Sequence, residues 1–127
     1  MVAEPLAVAA GPMVPVPSEV AARSQDLDDT VTLHLQPVDV PIEPPAPGQF
    51  NMLWAFGIGE APISLAGVRA DGALMHTIRA VGAVTTAVCA AAVGDVVGVR
   101  GPHGTGWDVA GARGGDVLVV AGGLGLA

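Results

Sequence analysis

The sequence is poor in basic and aromatic residues. Lys and Arg total five among 127 residues, against twelve Asp and Glu, and the formal net charge is −7 at pH 7. Because nucleic-acid binding depends on clustered basic side chains that neutralise phosphates, this composition argues against a nucleic-acid groove. Aromatic residues make up 3% of the chain and tyrosine is absent, so the hydrophobic share of 51% rests on other residues, mainly Ala and Val. An anionic ligand would have to be held by backbone N–H groups and one or two arginines.

Cysteine and long apolar runs are equally scarce. The single cysteine, Cys89, cannot form an internal disulfide or a four-cysteine cluster, and its apolar neighbours predict a packed, inert thiol. The longest uncharged stretch, between Arg79 and Asp95, is shorter than the ~20 residues that span a bilayer. Glu4 and several prolines interrupt the N-terminal apolar segment, which therefore does not resemble a signal peptide. We expect a cytoplasmic protein with no membrane or nucleic-acid partner and no metal site.

Turn-forming residues are abundant, with 18 glycines and 11 prolines, and they favour short strands over long helices. The clearest strand contains Val31, Leu33 and Leu35, which alternate with polar residues. Asp71-Gly72 predicts a hairpin turn. Strands are predicted at residues 19–24, 30–36, 50–56, 62–66, 73–81 and 95–100, and one helix at residues 85–92. This pattern predicts a mainly β fold, a six-stranded antiparallel Greek-key barrel with one short helix.

The pattern changes at both ends of this predicted barrel. Residues 1–17 have no periodicity and are expected to form a flexible leader, followed by the barrel domain at residues 18–113. Residues 114–127 contain Val117–Val120, which is typical of a fully buried strand and runs into a glycine-rich turn. We interpret this segment as the first strand of a truncated α/β nucleotide-binding domain.

Several segments, in order, resemble the FAD-binding domain of the ferredoxin–NADP reductase superfamily. Within it, the stretch 57–64 is most similar to the gamma subunit of cytosolic nickel–iron hydrogenases. It is also similar to the corresponding subunit of sulfite reductase and to the electron-transfer subunit of dihydroorotate dehydrogenase. The segments are Pro47-Gly48-Gln49-Phe50, Ala61-Pro62-Ile63-Ser64-Leu65, residues 77–85, residues 101–107 and Ala121-Gly122-Gly123-Leu124-Gly125.

The resemblance implies a role for residues in each of these segments. Ser64 would lie near the flavin N5 and Ile63 against the ring face, while the Arg79 guanidinium could pair two phosphate oxygens. Relatives often carry arginine at the position of Ala61 and tyrosine at that of Ile63, so charge neutralisation and stacking would differ here. The residues implied for FAD are Pro62, Ile63, Ser64, Thr77, Ile78, Arg79, Gly82, Val84, Thr85 and Thr86, and those implied for an incomplete NAD(P) site are Gly122, Gly123 and Gly125.

Each of these residues also has a purely structural interpretation. The triplet Pro62, Ile63 and Ser64 can consist of ordinary strand residues. Arg79 can be a solvated surface arginine, and Thr85 can serve only as the cap of the helix. These alternatives remain open at the level of the sequence.

The histidines and tryptophans are interpreted structurally. His34 and His76 are expected to face solvent from their strands, and His103 to lie on the surface of a glycine-rich loop. Trp54 and Trp107 are expected to pack in the core or at its rim, although Trp107 could border a flavin.

The resemblance implies part of an oxidoreductase subunit that transfers electrons between NAD(P)H and an iron–sulfur or hydrogenase-like partner. FAD would be its cofactor, NAD(P) would bind the complete protein, and the iron–sulfur cluster of the relatives would not lie in this chain. The alternative is a truncated flavin-binding module, or a non-catalytic β-barrel fragment, without independent activity. Whether the chain is an enzyme by itself is left open.

Overall fold

The computed structural model describes residues 11–127, and this part of the chain contains seven strands and one helix. The first ten residues of the predicted leader lie outside the described residues, and the first strand already begins at Val16. The elements are β1 (Val16–Leu27), β2 (Thr30–Pro37), β3 (Phe50–Ala55), β4 (Gly59–Ser64), β5 (Gly67–Val68), β6 (Leu74–Arg79), α1 (Ala83–Cys89) and β7 (Val96–His103).

All seven strands belong to one antiparallel sheet with the order β4-β3-β7-β1-β2-β6-β5. The mainly β fold is confirmed. The count of six strands omitted β5, which has only two residues and no alternation to reveal it. The ladder does not close into a complete barrel, because β4 pairs with β3 alone. β4 nevertheless lies beside β6, where side chains replace the ladder.

The core lies on the inner face of this curled sheet. Val31, Leu33 and Leu35 are at most 2% exposed, which confirms the alternation seen in the sequence. Leu53 from β3 and Ile78 from β6 complete the centre of the same apolar cluster. Burying these side chains stabilises the fold by about 1.5–3 kcal/mol each, and it fixes which residues of each strand face outward.

Helix α1 begins two residues earlier than predicted and packs its buried face on the core. The Thr85 hydroxyl accepts hydrogen bonds from the Val81 and Gly82 N–H groups at 2.9 and 3.0 Å, so it caps the helix start. Cys89 is buried, and burial raises the pKa of its thiol, which agrees with a packed, inert residue. No helix among the described residues is both long and apolar enough to cross a membrane.

The strand predicted at Val117–Val120 does not form. The four side chains are 63–88% exposed, and residues 104–127 contain turns but neither helix nor strand. A strand buried on both faces needs neighbouring strands and covering helices, and the described residues supply none to this segment.

Candidate functional site

A groove of about 490 Å³ lies on the outer face of the sheet, where β4 approaches β6. Alternation along β6 explains which residues reach it, since Leu74, His76 and Ile78 are buried while Thr77 and Arg79 point the other way. We call it the β4–β6 groove. Its lining residues are Ala61, Pro62, Ile63, Ser64, Ala66, Thr77, Arg79, Val81, Thr85, Leu124, Gly125 and Ala127.

One wall of the groove is the end of β4. Ile63 packs its side chain against the core, whereas Pro62 and Ser64 are exposed at the surface. The Ser64 carbonyl oxygen accepts a hydrogen bond of 2.9 Å from Nδ1 of His76, and Nε2 of that imidazole lies 3.2 Å from Nδ2 of Asn51. The backbone at the end of β4 is therefore tied to the core from beneath.

His76 is completely buried, so the prediction that it faces solvent is wrong. It shares the inward parity of Leu74 and Ile78, and its polar atoms find partners in neighbouring strands. Burial lowers the pKa of His76 to about 4, while the hydrogen bond with Ser64 acts in the opposite direction. The imidazole is therefore neutral at pH 7. His34, by contrast, lies on the outer face, where its Nδ1 is 3.3 Å from Nη1 of Arg69.

The opposite wall carries the cation of the groove. Nε of Arg79 donates to Oδ2 of Asp29 at 2.9 Å, and both side chains are about half exposed. Hydrogen bonds from Thr30 and then from Arg79 lower the pKa of the Asp29 carboxyl. Because Asp29 engages only Nε, the two terminal nitrogens of the guanidinium are left out of this ion pair.

Thr77 adds a hydroxyl between the two walls. It lies 2.9 Å from the hydroxyl of Thr32, its partner in the β2–β6 register. The Thr32 hydroxyl donates its single proton to the Asp26 carboxylate. Thr77 must then donate to Thr32, so its remaining capacity toward the groove is that of an acceptor.

A second cavity of about 460 Å³ adjoins the first, and we call it the Trp107 cavity. Trp107 is 72% exposed at its rim, and its N–H donates to the Pro47 carbonyl at 2.8 Å. The indole lies so close to Gly48 that an added Cβ there would collide with the ring. Residues shared by the two cavities are Ser64, Ala66, Gly125 and Ala127.

An ion pair braces β4 from its outer side. Nε and Nη2 of Arg100 donate to the two Glu60 carboxylate oxygens at 3.1 and 2.7 Å, and the Arg100 side chain is only 13% exposed. The Arg100 hydrogen bond is the largest cause of the lowered pKa of Glu60. This bidentate pair holds the strand segment next to Ala61 and occupies the arginine nearest to it in the fold.

The groove brings together six of the ten residues predicted for FAD. It leaves out Ile78, whose side chain is buried in the core, and Val84, which packs against the core cluster. Gly82 and Thr86 are exposed near the start of α1 but do not line the groove. Among the glycines predicted for NAD(P), Gly125 lines both cavities, whereas Gly122 and Gly123 belong to the adjoining turn. The contribution of Ala66, Val81, Leu124 and Ala127 had no motif to indicate it.

No family model matches the chain, but curated proteins do. A protein of Methanopyrus kandleri named probable dihydroorotate dehydrogenase B (NAD(+)), electron transfer subunit, is 40% identical over 113 residues, which cover 89% of this chain and 41% of that protein. The gamma subunit of sulfhydrogenase 1 from Pyrococcus furiosus is 45% identical over 82 residues, covering 64% of this chain and 28% of its own length. The chain thus spans well under half the length of these relatives.

Solved structures share the fold. The structure of an NADH-dependent reduced ferredoxin–NADP oxidoreductase aligns with a TM-score of 0.64 at 22% identity, over 72% of this chain and 34% of that one. The cytochrome b5 reductase domain of Ulva prolifera nitrate reductase aligns with a TM-score of 0.58 at 14% identity, over 74% of this chain and 42% of that one. From its homologues and its fold together, the chain belongs to the ferredoxin–NADP reductase superfamily.

Proposed function

We propose that this domain is the FAD-binding part of an oxidoreductase subunit that transfers electrons between NAD(P)H and an iron–sulfur or hydrogenase-like partner. The observation that carries the proposal is the β4–β6 groove, which unites Pro62–Ser64 with Thr77 and Arg79 although these segments are separate in sequence. Electron-transfer subunits of dihydroorotate dehydrogenase B and gamma subunits of sulfhydrogenases among the homologues support the same function.

The residues of the groove suit the chemical parts of FAD. Ile63, Pro62 and Ala61 offer an apolar surface for a ring system, and the hydroxyls of Ser64 and Thr77 lie beside it. Toward the other wall, the terminal nitrogens of Arg79 can hydrogen-bond an anionic phosphate while Asp29 keeps the side chain in place. The adjoining Trp107 cavity extends the available space along the same face. The lining therefore fits the cofactor, with one arginine as its cation.

When bound, FAD supplies hydride acceptance and one-electron transfer, which no side chain of this chain can perform. The role of the protein is to orient the cofactor and to shield one face. Ile63 is fixed by the core behind it, and Ser64 presents a hydroxyl that can donate or accept a hydrogen bond. Thr77 can accept one, because its proton is committed to Thr32.

The second candidate is a flavin-binding module without independent activity. Two observations favour it. Ala61 offers no cation, and the guanidinium of Arg79 already shares its charge with Asp29. The glycines implied for NAD(P) also lie in an exposed turn without a helix following them. In this case FAD binds weakly, and NADH does not reduce it in this chain.

The two candidates are separated by one titration. FAD is added to the full chain, its fluorescence and visible absorbance are followed, and NADH is then supplied without oxygen. We expect binding that is abolished by Ala66→Trp, since Ala66 lines both cavities, and retained by the matched control Ala112→Trp on an exposed turn.

Absence of binding to the unmodified chain contradicts both flavin proposals. Binding without bleaching by NADH favours the inactive module. Equal binding by both tryptophan variants would place the flavin outside the groove.

A further inference from the structure

The space between β4 and β6 contains a polar contact made by side chains rather than by a strand ladder. His76 on β6 is completely buried, and its two ring nitrogens reach Asn51 on β3 and the Ser64 carbonyl on β4. Asn51 is also completely buried. One imidazole thus links three strands at the point where the sheet fails to close.

The partners fix the proton on the imidazole. A carbonyl oxygen can only accept, so Nδ1 of His76 must carry the proton and donate it to Ser64. The amide nitrogen of Asn51 can only donate, so Nε2 of His76 must be the acceptor. Both contacts are satisfied by a single neutral tautomer, which gives the ring a defined direction.

The surroundings of Asn51 leave the pair little freedom. A Cβ added at Gly101 would collide with Asn51 Oδ1, so a glycine at this position of β7 makes room for the amide. The same Oδ1 is buried and has no hydrogen-bond partner among the described residues. Keeping an unsatisfied buried oxygen costs free energy, and that cost is tolerated while the amide nitrogen faces His76.

Ser64 is where this buried network reaches the groove. It is the last residue of β4, it is exposed, and it lines both cavities, while its carbonyl points back to His76. β4 lies at the edge of the sheet, and beyond Ser64 the chain bends toward β5. The hydrogen bond from His76 therefore restrains the backbone that carries the Ser64 hydroxyl.

We propose that His76, oriented by Asn51, is a positioning residue that sets the place of Ser64 against the flavin. The inference rests on the proposed function, because the Ser64 hydroxyl matters only if a flavin occupies the groove. His76 itself touches no ligand, and it acts through the backbone of β4.

Two substitutions of similar size separate positioning from packing. His76→Asn keeps a nitrogen donor where Nδ1 lies, so the bond to Ser64 can persist although the contact with Asn51 is lost. His76→Leu fills the space without any donor. Both lose the imidazole, and a purely structural role predicts equal effects on FAD affinity once each is corrected for its folded fraction.

The experiment titrates FAD into the full chain and both variants, with the folded fraction measured by urea unfolding. We expect His76→Leu to weaken FAD binding about fivefold to tenfold, the effect of losing one hydrogen bond, and His76→Asn to retain most of the affinity. We also expect the visible flavin spectrum of the leucine variant to move toward that of free FAD. Equal affinities and spectra for the two variants overturn the inference.

A second measurement needs no substitution. In the full chain with ¹⁵N-labelled histidine, the Nδ1–H resonance of His76 should shift when FAD saturates the groove, while that of His34, on the outer face away from the groove lining, serves as the control. FAD binding that leaves the His76 resonance in place overturns the inference. Failure of the unmodified chain to bind FAD overturns the proposed function first and the inference with it.

Discussion

The buried imidazole predicts a specific loss of stability in mild acid. The pKa of His76 is about 4 in the folded chain and 6.5 when unperturbed, because burial disfavours the imidazolium. Between these values the unfolded chain binds the proton and the folded chain does not, so the free energy of unfolding falls as the pH falls. The contribution is complete above pH 6.5 and is lost by about pH 4.

The magnitude follows from the difference in pKa. At about 1.4 kcal/mol per pH unit, the loss is about 2 kcal/mol on going from pH 7.5 to 5 and about 3 kcal/mol by pH 4. The step to pH 5 lies above the range in which Asp29 and Glu60 take up protons, since the pKa values of both carboxyls are lowered by their hydrogen bonds. It is therefore the informative interval.

Urea unfolding of the full chain at pH 7.5, 6 and 5 measures this loss, and His76→Asn supplies the control. The variant keeps the other two histidines, so subtracting its pH dependence isolates the contribution of His76. We expect the variant to be less stable at pH 7.5 and to lose about 2 kcal/mol less than the unmodified chain by pH 5. Parallel pH dependences of the two proteins would refute the buried neutral imidazole.

Three further predictions concern the groove, the core and the C-terminal segment. Arg79→Ala should weaken FAD binding by about 1.5–3 kcal/mol, the contribution of a charged hydrogen bond, and unchanged affinity in a fluorescence titration would return Arg79 to the role of a surface residue. Leu33→Ala removes a completely buried side chain and should lower the free energy of unfolding by about 2–5 kcal/mol, whereas Val96→Ala, 48% exposed, should cost under about 1 kcal/mol; similar losses in urea unfolding would contradict the assignment of the core. Leu118 and Val120 are 88% and 87% exposed, so serine at both positions should reduce self-association in sedimentation without unfolding the barrel, and a monomeric unmodified chain would speak against this expectation.

The strands were predictable because their signal is local. Alternation at Val31, Leu33 and Leu35 depends only on the period of a strand with one buried face, and it predicted β2 almost to its ends. The turn at Asp71-Gly72 was equally local, since Gly72 adopts a positive φ of 88° and Asp71 Oδ1 accepts the Ala73 N–H. By contrast, β5 has too few residues for any period to appear.

The error at His76 shows where local patterns failed. Its parity with Leu74 and Ile78 placed it on the inner face, but histidine was assigned to solvent because a buried imidazole needs partners. Those partners, Asn51 and the Ser64 carbonyl, are 25 and 12 residues away in the sequence. Only the approach of β4 to β6 brings them within reach, and no pattern along the chain reveals that approach.

The electrostatics of the groove were hidden for the same reason. Arg79 was singled out as a cation by its motif, and the structure does place it in the groove, yet its partner Asp29 lies 50 residues earlier. Arg100 is likewise engaged by Glu60, 40 residues earlier, so it cannot compensate for Ala61 without breaking a bidentate pair.

Phosphate affinity in this groove therefore depends less on how many arginines the chain contains than on how they are paired. A carboxylate that binds only Nε aligns the guanidinium and leaves its terminal nitrogens available, whereas one that binds Nε and Nη2 together satisfies the outer edge of the fork. By this criterion the ion pair of Arg79 is compatible with a second anion and that of Arg100 is a brace for β4. The distinction follows from the atoms that each carboxylate engages, and a sequence records only that the charges exist.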